Sequence, residues 1–523
     1  MTETFTDAER AALAPYVSNL DAPIFALRNL PEEVIAVLFA YYSRSRDSLR
    51  RNLLRLLDEG DLDLAGDSGA VTVQLDEGGG DRLAKAREKA KAFHEKWVVG
   101  YGHGSVAEHG CVHLALENVS IIASKLIEDC RLASYTEKST RYVAFDASKM
   151  YYPPALENNA VYRSTIEALL DAYTGWTEDI VDQIKARVPR TEKQTERGYD
   201  TACRASAFDV LRYLLPSATF TNIGLTLNAR SLENMITKLL SQPLPEGRAI
   251  GEAIKREAQH IVPTLLKYAD HNPYRDETDA AIDSLARKAA PTPLKGPGGY
   301  NGNFTVYVGE AGKAVIVDAD PDADDRLIAS ILYGHVRQSA DELMSTVRSM
   351  DRPAKEKIVD EYLCRRGKHD APGRALERVY CTIEMTMDYG AYRDIQRHRM
   401  ATQSTQGPSP YFGFAMPPEI ERFGYTERYQ QLMQRCGQAY DSLSQAGFER
   451  EAVYLLPLAT RMRALFTWNL REVTHFVELR SSRQGHPSYR HIAQEVYRAV
   501  EQAYPLIARY IRPNMKNYDL TRD

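Results

Sequence analysis

The sequence has no long apolar segment. Nowhere in its 523 residues does an apolar run approach the roughly 20 residues that a helix needs to cross a bilayer. The first residues, Met1 to Glu9, are polar and acidic, unlike a signal peptide. The sequence therefore predicts a protein with no membrane-spanning helix and no secretion signal.

Cysteine is sparse, and charge of one sign does not dominate. The six cysteines include no CxxC pair, which is typical of reduced thiols rather than of a disulfide framework. The formal net charge of -5 provides no general attraction to nucleic acid, so any anion binding must come from local basic clusters. We predict a cytoplasmic protein that binds neither nucleic acid nor a membrane.

The length and one change in composition predict two domains. A chain of this length exceeds one ordinary domain. Between 291 and 303 the composition changes to proline, glycine and lysine, which is typical of a linker. Beyond it the sequence begins again with a strand pattern at Ala314–Asp318 and a helical pattern at Asp324–Leu332. We predict a first copy at 1–290, a linker at 291–303 and a second copy at 304–523.

The order of features after the linker repeats the order before it. The segment Leu214–Thr219 with Asn228-Ala229-Arg230 recurs as Leu455–Thr460 with Asn469-Leu470-Arg471, and both keep the same separation from proline to asparagine. Other matching pairs are the turns at His103 and His369 and the helix ends at Arg131 and Arg399. We interpret the repeat as a tandem duplication with an internal interface.

Arg397, His398 and Arg399 form a basic cluster between apolar-patterned segments. Holding such side chains near a core is unfavourable unless an anion or a polarisable ring system offsets their charge. The cluster is therefore a candidate ligand site. The alternative is a solvated basic helix end, where cations interact favourably with the helix dipole.

The motifs around this cluster resemble those of flavin-dependent thymidylate synthases. That family has an Arg-His-Arg signature that continues into a Glu-x-Ser-x-Arg loop, and a later Asn-x-Arg-x-x-x-His-Phe-x-x-Leu-Arg helix. In this sequence the helix motif Asn469–Arg480 fits throughout. The resemblance covers most of both copies. It implies an α/β fold made of two fused copies, each with helices around a central, mostly antiparallel sheet.

Each copy departs from the family pattern in a different half. The first copy keeps the substrate loop as Glu137–Tyr142 and the phosphate-contacting arginine as Arg212. It has Asp129-Cys130 where the family has Arg-His, and an acidic residue there should repel FAD. The second copy keeps the cofactor half, but its substrate loop is Thr405–Pro410 and its phosphate-contacting arginine is replaced by Val453.

The family's active sites lie between the subunits of a homotetramer, so the resemblance implies one surviving site built from both copies. Arg480 is the implied catalytic residue, because its permanent charge can stabilise an anion at N3 of a uracil ring by about 3 kcal/mol. The implied cofactor-binding residues are Arg397, His398, Arg399, Asn469, Arg471, His475 and Glu137. The implied substrate-binding residues are Glu137, Ser139, Arg141, Arg212 and Arg480.

The implied reaction is the methylation of dUMP to dTMP, with FAD as cofactor and NADPH and methylenetetrahydrofolate as co-substrates. Hydride from reduced flavin makes a cysteine nucleophile unnecessary. A homodimer of this chain would imitate the family's tetramer. Two alternatives stay open: a non-catalytic nucleotide-binding relative, and a flavoenzyme that adds another one-carbon unit to a pyrimidine nucleotide.

Some residues fit the pattern of complementary loss less well, and no metal site is predicted. The exceptions are Arg131, Asn228 and Arg230, which persist in the first copy, Leu126 and Asp394, which replace a family glutamine, and Ala371, which replaces a Ser or Thr. His103, His109 and His113 lack a carboxylate or thiolate at a metal-ligand spacing, so packing of a turn is the favoured interpretation. Ser139 has no nearby histidine in the sequence, so we expect it to form hydrogen bonds rather than act as a nucleophile.

Overall fold

The structure is a computed structural model that describes residues 4–43, 45–57, 91, 105–146, 148–289, 304–309 and 312–518. The predicted linker at 291–303 and the turn residue His103 lie outside these ranges. Within them, no helix combines the length and the apolar composition that crossing a bilayer requires.

The described chain contains both helices and strands. The helices are α1 Asp7–Leu13, α2 Glu32–Tyr42, α3 Leu49–Leu57, α4 Ile121–Ile127, α5 Ala160–Arg187, α6 Glu196–Leu211, α7 Ala229–Leu240, α8 Pro245–Ala258, α9 Pro273–Ala289, α10 Ala323–Tyr333, α11 Ala340–Ser349, α12 Arg352–Leu363, α13 Tyr389–Ile395, α14 Pro418–Arg422, α15 Thr426–Gln445, α16 Glu449–Ala452, α17 Leu470–Arg480, α18 Pro487–Ala503 and α19 Pro505–Ala508. The strands are β1 Cys111–Ser120, β2 Ala133–Glu137, β3 Phe220–Asn228, β4 Val306–Val308, β5 Lys313–Ala319, β6 Tyr380–Asp388, β7 Thr402–Gln406, β8 Phe414–Met416 and β9 Arg461–Asn469. The strand pattern predicted at Ala314–Asp318 lies within β5.

The chain divides into two compact units. The first unit comprises Met1–Glu117, Leu132–Glu137 and Asn222–Pro291, and the second comprises Asn118–Arg131, Lys138–Thr221 and Thr292–Asp523. The units therefore differ from the predicted copies, since residues 118–131 and 138–221 of the first copy belong to the second unit. The exact copy boundaries stay a prediction.

The core of the first unit forms around α1, α2 and α3. Val34 and Leu38 of α2 are fully buried, as their spacing of four residues predicts for one helix face, and so is Leu53 of α3. Two glutamates in the first turn of α2 complement the positive end of the helix dipole. In the same unit β2 pairs antiparallel with β3, and Glu137 at the end of β2 lies opposite Ile223.

The second unit contains a four-stranded antiparallel sheet in the order β5-β6-β9-β7. One face is buried through alternate residues, among them Ile383 and Met385 of β6 and Phe466 and Trp468 of β9. The short strands β4 and β8 pair in parallel. Helices combined with mostly antiparallel sheets confirm the predicted fold class.

The repeated Leu-Leu-Pro segments pair with each other inside the second unit. The Ser217 amide donates to the Leu456 carbonyl at 2.9 Å, and the Leu458 amide donates to the Leu215 carbonyl at 2.9 Å. The repeated prolines lie opposite each other between these bonds. Such a reciprocal pattern arises when two equivalent segments are related by a twofold axis, so the two copies share an internal interface.

Arg212 crosses this interface in a buried position. It is 2% exposed, donates a hydrogen bond to the Gly390 carbonyl and lies 3.8 Å from a carboxylate oxygen of Asp394. A Cβ atom added at Gly390 would lie 2.8 Å from Arg212 Nη2 and 3.0 Å from Asp388 Oδ1. Any larger residue at position 390 must therefore displace the guanidinium.

We expect Gly390→Ala to lower the free energy of unfolding by about 1–3 kcal/mol, because the added methyl group overpacks a buried, charged contact. The matched control is Gly175→Ala in α5, where an added Cβ meets nothing within 4 Å. That substitution should raise stability by about 0.5–1 kcal/mol through helix propensity. Urea denaturation followed by circular dichroism measures both, and equal effects would contradict the close approach of Arg212.

Candidate functional site

The buried imidazole of His398, just after α13, connects Glu472 and Arg480 through hydrogen bonds. Its Nδ1 lies 3.0 Å from Glu472 Oε1, and its Nε2 accepts a hydrogen bond from Arg480 Nε at 2.9 Å. Because a guanidinium can only donate, Nε2 is unprotonated and Nδ1 carries the proton that is donated to Glu472. Burial and the charge of Arg480 lower the pKa of His398, although Glu472 opposes them. The imidazole is therefore neutral and held in one tautomer.

Tyr489 contacts arginines from both copies. The Arg480 guanidinium lies 5.5 Å from the centre of the Tyr489 ring, and Arg141 Nη1 donates to the Tyr489 hydroxyl at 3.2 Å. Arg480 ends the helix motif of the second copy, whereas Arg141 belongs to the substrate loop of the first. The second unit thus brings together residues predicted from opposite copies.

Arg141 forms a forked pair with Asp209. Its Nε donates to Oδ1 at 2.8 Å and its Nη2 donates to Oδ2 at 3.2 Å. Burial opposes the charge on Arg141, but the hydrogen bonds and the charge of Asp209 raise its pKa above the usual value. The Arg141 amide also donates to Ser139 Oγ at 3.2 Å, so Ser139 forms a hydrogen bond within the loop. Arg141 is a permanent cation that already holds a carboxylate.

Asp394 provides negative charge among several arginines. Burial raises the pKa of its carboxyl group, but the charges of Arg212, Arg397 and Arg480 together lower it by more. The pKa therefore lies below its usual value. The carboxylate is therefore ionised. It lies in the electrostatic field of Arg212 from the first copy and of Arg480 from the second.

The other predicted ligand residues differ in exposure and position. The side chain of Arg397 is 40% exposed, and its Nη2 lies 3.8 Å from Glu128 Oε1. His475 is exposed, and its ring centre lies 5.5 Å from that of His398. Glu137 belongs to the first unit, whereas the other predicted site residues belong to the second. Arg397 and His475 are therefore the cofactor-half residues most accessible to a ligand.

Arg399 and Arg131 hold the two copies together reciprocally. Arg399 Nη1 donates to the carbonyls of Cys130 and Arg131, both at 2.9 Å. Arg131 Nη2 donates to the Ala401 carbonyl at 3.1 Å and to Thr402 Oγ1 at 3.3 Å. Each arginine thus contacts the turn that carries its counterpart. This shared contact explains why Arg131 persists in a copy that lost the rest of the basic cluster.

Asn469 and its counterpart Asn228 are helix caps. Asn469 Oδ1 accepts from the Glu472 amide at 2.9 Å at the start of α17, and Asn228 Oδ1 accepts from the Ser231 amide at 2.8 Å at the start of α7. Such caps stabilise a helix by about 1 kcal/mol. The asparagine is therefore required in both copies whether or not a cofactor binds.

Arg471 and its counterpart Arg230 both pair with a glutamate in the turn before a strand, Glu377 before β6 and Glu108 before β1. Arg471 Nη1 donates to Glu377 Oε1 at 2.9 Å, and Arg230 pairs in the same way with Glu108. The two glutamates therefore occupy equivalent positions. Counting back from them matches Ser105 with position 374, so the predicted match at Ala371 was wrong.

The motifs did not indicate His486, which caps α18 from a buried position. Its Nδ1 accepts from the Ser488 amide at 3.2 Å, and its Nε2 donates to the Asp209 carbonyl at 3.1 Å. Burial, with a further effect of Arg212, lowers the pKa of His486 to about 3. The sequence His-Pro-Ser before a helical pattern is a helix-start signal that could have indicated this cap.

Comparison with known proteins agrees with this internal repetition. The family model described as thymidylate synthase complementing protein matches residues 66–264 and again residues 315–506. The chain belongs to this family. Membership in the thymidylate synthase complementing protein family confirms the predicted resemblance, and the two matches on either side of 291–303 confirm two fused copies.

Some similar proteins match nearly the whole of this chain, and others match only a part of it. The chain is 33% identical to a UPF0159 protein of Chlamydia pneumoniae over 517 residues, which cover 96% of this chain and 94% of that protein. It is 26% identical to a UPF0159 protein of Thermoplasma acidophilum, over 82% of this chain and 89% of that protein. It is 27% identical to a flavin-dependent thymidylate synthase of Mycobacterium sp. strain KMS over 204 residues, or 39% of this chain and 80% of that protein.

His486 makes stability depend on pH. Because its pKa of about 3 in the folded protein lies below the ordinary 6.5, the unfolded chain binds more protons between these values, and stability falls as the pH falls from 6.5 towards 3. His486→Asn keeps a capping side chain that does not titrate. Between pH 6.5 and 5 the variant should lose about 1.6 kcal/mol less than the wild type.

Urea unfolding at the two pH values measures this difference. The exposed His335 provides the control substitution, His335→Asn, which should leave the pH dependence unchanged. Equal pH dependence in the wild type and His486→Asn would contradict a buried, neutral His486.

Proposed function

We propose that this chain is a flavin-dependent methyltransferase that converts dUMP to dTMP, with FAD as cofactor and NADPH and methylenetetrahydrofolate as co-substrates. The proposal depends on one observation above all, the convergence of Arg480 and Arg141 on Tyr489. The similarity to flavin-dependent thymidylate synthases supports the reaction class. In this proposal the first copy is 1–290, the linker is 291–303, the second copy is 304–523, and the chain forms a homodimer.

The proposed substrate-binding residues are Glu137, Ser139, Arg141, Arg212 and Arg480. Arg141 and Arg212 suit the nucleotide phosphate, because a guanidinium forms forked, charge-assisted hydrogen bonds with it. Both already pair with a carboxylate, so the phosphate must exchange with at least one of them. Asp394 is the easier to displace, since its side chain is 23% exposed and 3.8 Å from Arg212, whereas that of Asp209 is 12% exposed and 2.8 Å from Arg141.

Arg480 is the proposed catalytic residue. Guanidinium groups stay charged at working pH, so Arg480 can stabilise negative charge that develops at N3 of the uracil ring, by about 3 kcal/mol. His398 and Glu472 act through Arg480 as positioning residues. The neutral imidazole accepts from Arg480 Nε, and Glu472 keeps the accepting nitrogen unprotonated.

The proposed FAD-binding residues are Arg397, His398, Arg399, Asn469, Arg471, His475 and Glu137. Arg397 and His475 fit this role best, because an exposed guanidinium and an exposed imidazole can bind phosphate and contact a ring. Arg399, Asn469 and Arg471 already form hydrogen bonds that stabilise the fold. Contact with a cofactor would be a second role for each of them. Bound flavin would supply the hydride for the transferred one-carbon unit.

A non-catalytic nucleotide-binding protein is the second candidate. The carboxylates of Asp209 and Asp394 favour it, since they neutralise Arg141 and Arg212 without any ligand. This candidate predicts nucleotide binding by a protein that contains no flavin.

The purified protein should show flavin absorbance, and dUMP should accelerate oxidation of the reduced protein. Arg480→Ala should lower turnover by about 100-fold or more, because it removes a charge that stabilises the transition state, while the circular dichroism spectrum stays unchanged. Arg365→Ala, at a side chain that is 72% exposed just after α12, is the control. A colourless protein that binds dUMP would favour the non-catalytic nucleotide-binding protein. A colourless protein that does not bind dUMP would contradict both candidate functions.

Glu472→Leu should lower kcat by about tenfold, whereas Glu472→Gln should lower it less. Leucine leaves the Nδ1 proton of His398 without an acceptor, so the Nε2-protonated tautomer becomes populated, and in that form His398 cannot accept from the donor Nε of Arg480 and displaces it. Glutamine keeps an acceptor oxygen. Nitrogen NMR of labelled histidine reports the tautomer without depending on turnover, and an Nδ1-protonated His398 in Glu472→Leu would contradict the positioning role.

A further inference from the structure

A cavity of about 520 Å³ lies in the second unit beside Arg141. Its wall includes Asp209 of α6, the segment from Ala415 to Glu419, and residues at the start of α18. Arg212 and Arg480 do not line it. The cavity is therefore distinct from the proposed catalytic position, although Arg141 borders it.

Positive charge exceeds negative charge around this cavity. The lining contains four arginines, Arg141, Arg422, Arg483 and Arg490, but only two carboxylates, Asp209 and Glu419. Asp209 binds Arg141 at 2.8 Å, and Glu419 lies 3.7 Å from Arg422 on the same helix. Arg490 forms an ion pair with neither of these carboxylates, nor with any other carboxylate of the described residues.

Arg490 is the arginine for which the excess of positive charge is least favourable, because it is buried. It is 5% exposed, its Nη2 donates to the Lys516 carbonyl, and its guanidinium lies 4.7 Å from the centre of the Tyr518 ring. Its Nε has no hydrogen-bond partner among the described residues. Burial lowers the pKa of Arg490, and only tyrosines oppose this effect. A buried guanidinium without an anionic partner is unfavourable unless a ligand supplies one.

We propose that this cavity binds the phosphate group of a small molecule, at a site additional to the proposed nucleotide site. Arginines bind phosphate in a planar, forked geometry that a single ammonium group cannot match. The volume lies within the range of small-molecule sites and would accept a ligand of nucleotide size. Tyr307, Met416 and Pro417 line the same cavity and can contact the uncharged part of the ligand.

Isothermal titration of the full chain with inorganic pyrophosphate tests this site. Arg490→Gln removes the charge but keeps a donor for the Lys516 carbonyl, and it should weaken pyrophosphate binding at least tenfold. Arg483→Gln, at an exposed position, should also weaken it, and this variant decides the matter if Arg490→Gln does not fold. Arg365→Gln, just after the end of α12, is the control and should bind as tightly as the wild type.

Turnover or dUMP binding by Arg490→Gln separates this site from the proposed function, because both should stay at the wild-type level. Loss of dUMP binding together with pyrophosphate binding would place both in one site and overturn the proposal. Wild-type affinity in both glutamine variants would overturn it too. So would a wild-type protein that binds citrate but no pyrophosphate.

Discussion

The reciprocal backbone pairing of the two Leu-Leu-Pro segments is the contact on which the candidate site depends. The bonds between Ser217 and Leu456 and between Leu458 and Leu215 fix one copy against the other. Arg212 lies immediately before the first of these segments and reaches Gly390 at the start of α13. Because the His398 bridge follows the end of the same short helix, a shift at the interface would move the arginines of both copies relative to each other.

The duplication supplies an internal comparison that separates structural roles from ligand-related ones. Asn228 and Arg230 make the same contacts in the first copy as Asn469 and Arg471 make in the second. Their persistence in a copy without the basic cluster follows from helix capping and ion pairing alone. Residues kept in one copy have no such explanation. Retained arginines of this kind include Arg480, whose counterpart is Leu239, Arg212, whose counterpart is Val453, and Arg397, whose counterpart is Asp129.

The sequence predicted those features that depend on the spacing of residues close together in the chain. The family motifs, the duplication and the strand β5 follow from local patterns, and the structure and the comparisons confirm the family and the fold class. Tyr489, Asp209 and His486 were not predicted, because their contacts join segments far apart in the chain. The turn near Ala371 was misaligned because matching glycines and histidines is a weaker guide than the glutamate pairing that the structure reveals.

Two groups of arginines in the second unit differ in how their charge is neutralised. Arg141 and Arg212 each face a carboxylate before any ligand arrives. In the proposed function a phosphate exchanges with one carboxylate, and Asp394 can accept this exchange because Arg397 and Arg480 still compensate its charge. Among the described residues Arg490 has no carboxylate to exchange, so a ligand there would supply a negative charge rather than replace one. The binding free energy that an anion obtains per charge should therefore be larger at Arg490 than at Arg212, because at Arg490 the anion displaces no carboxylate.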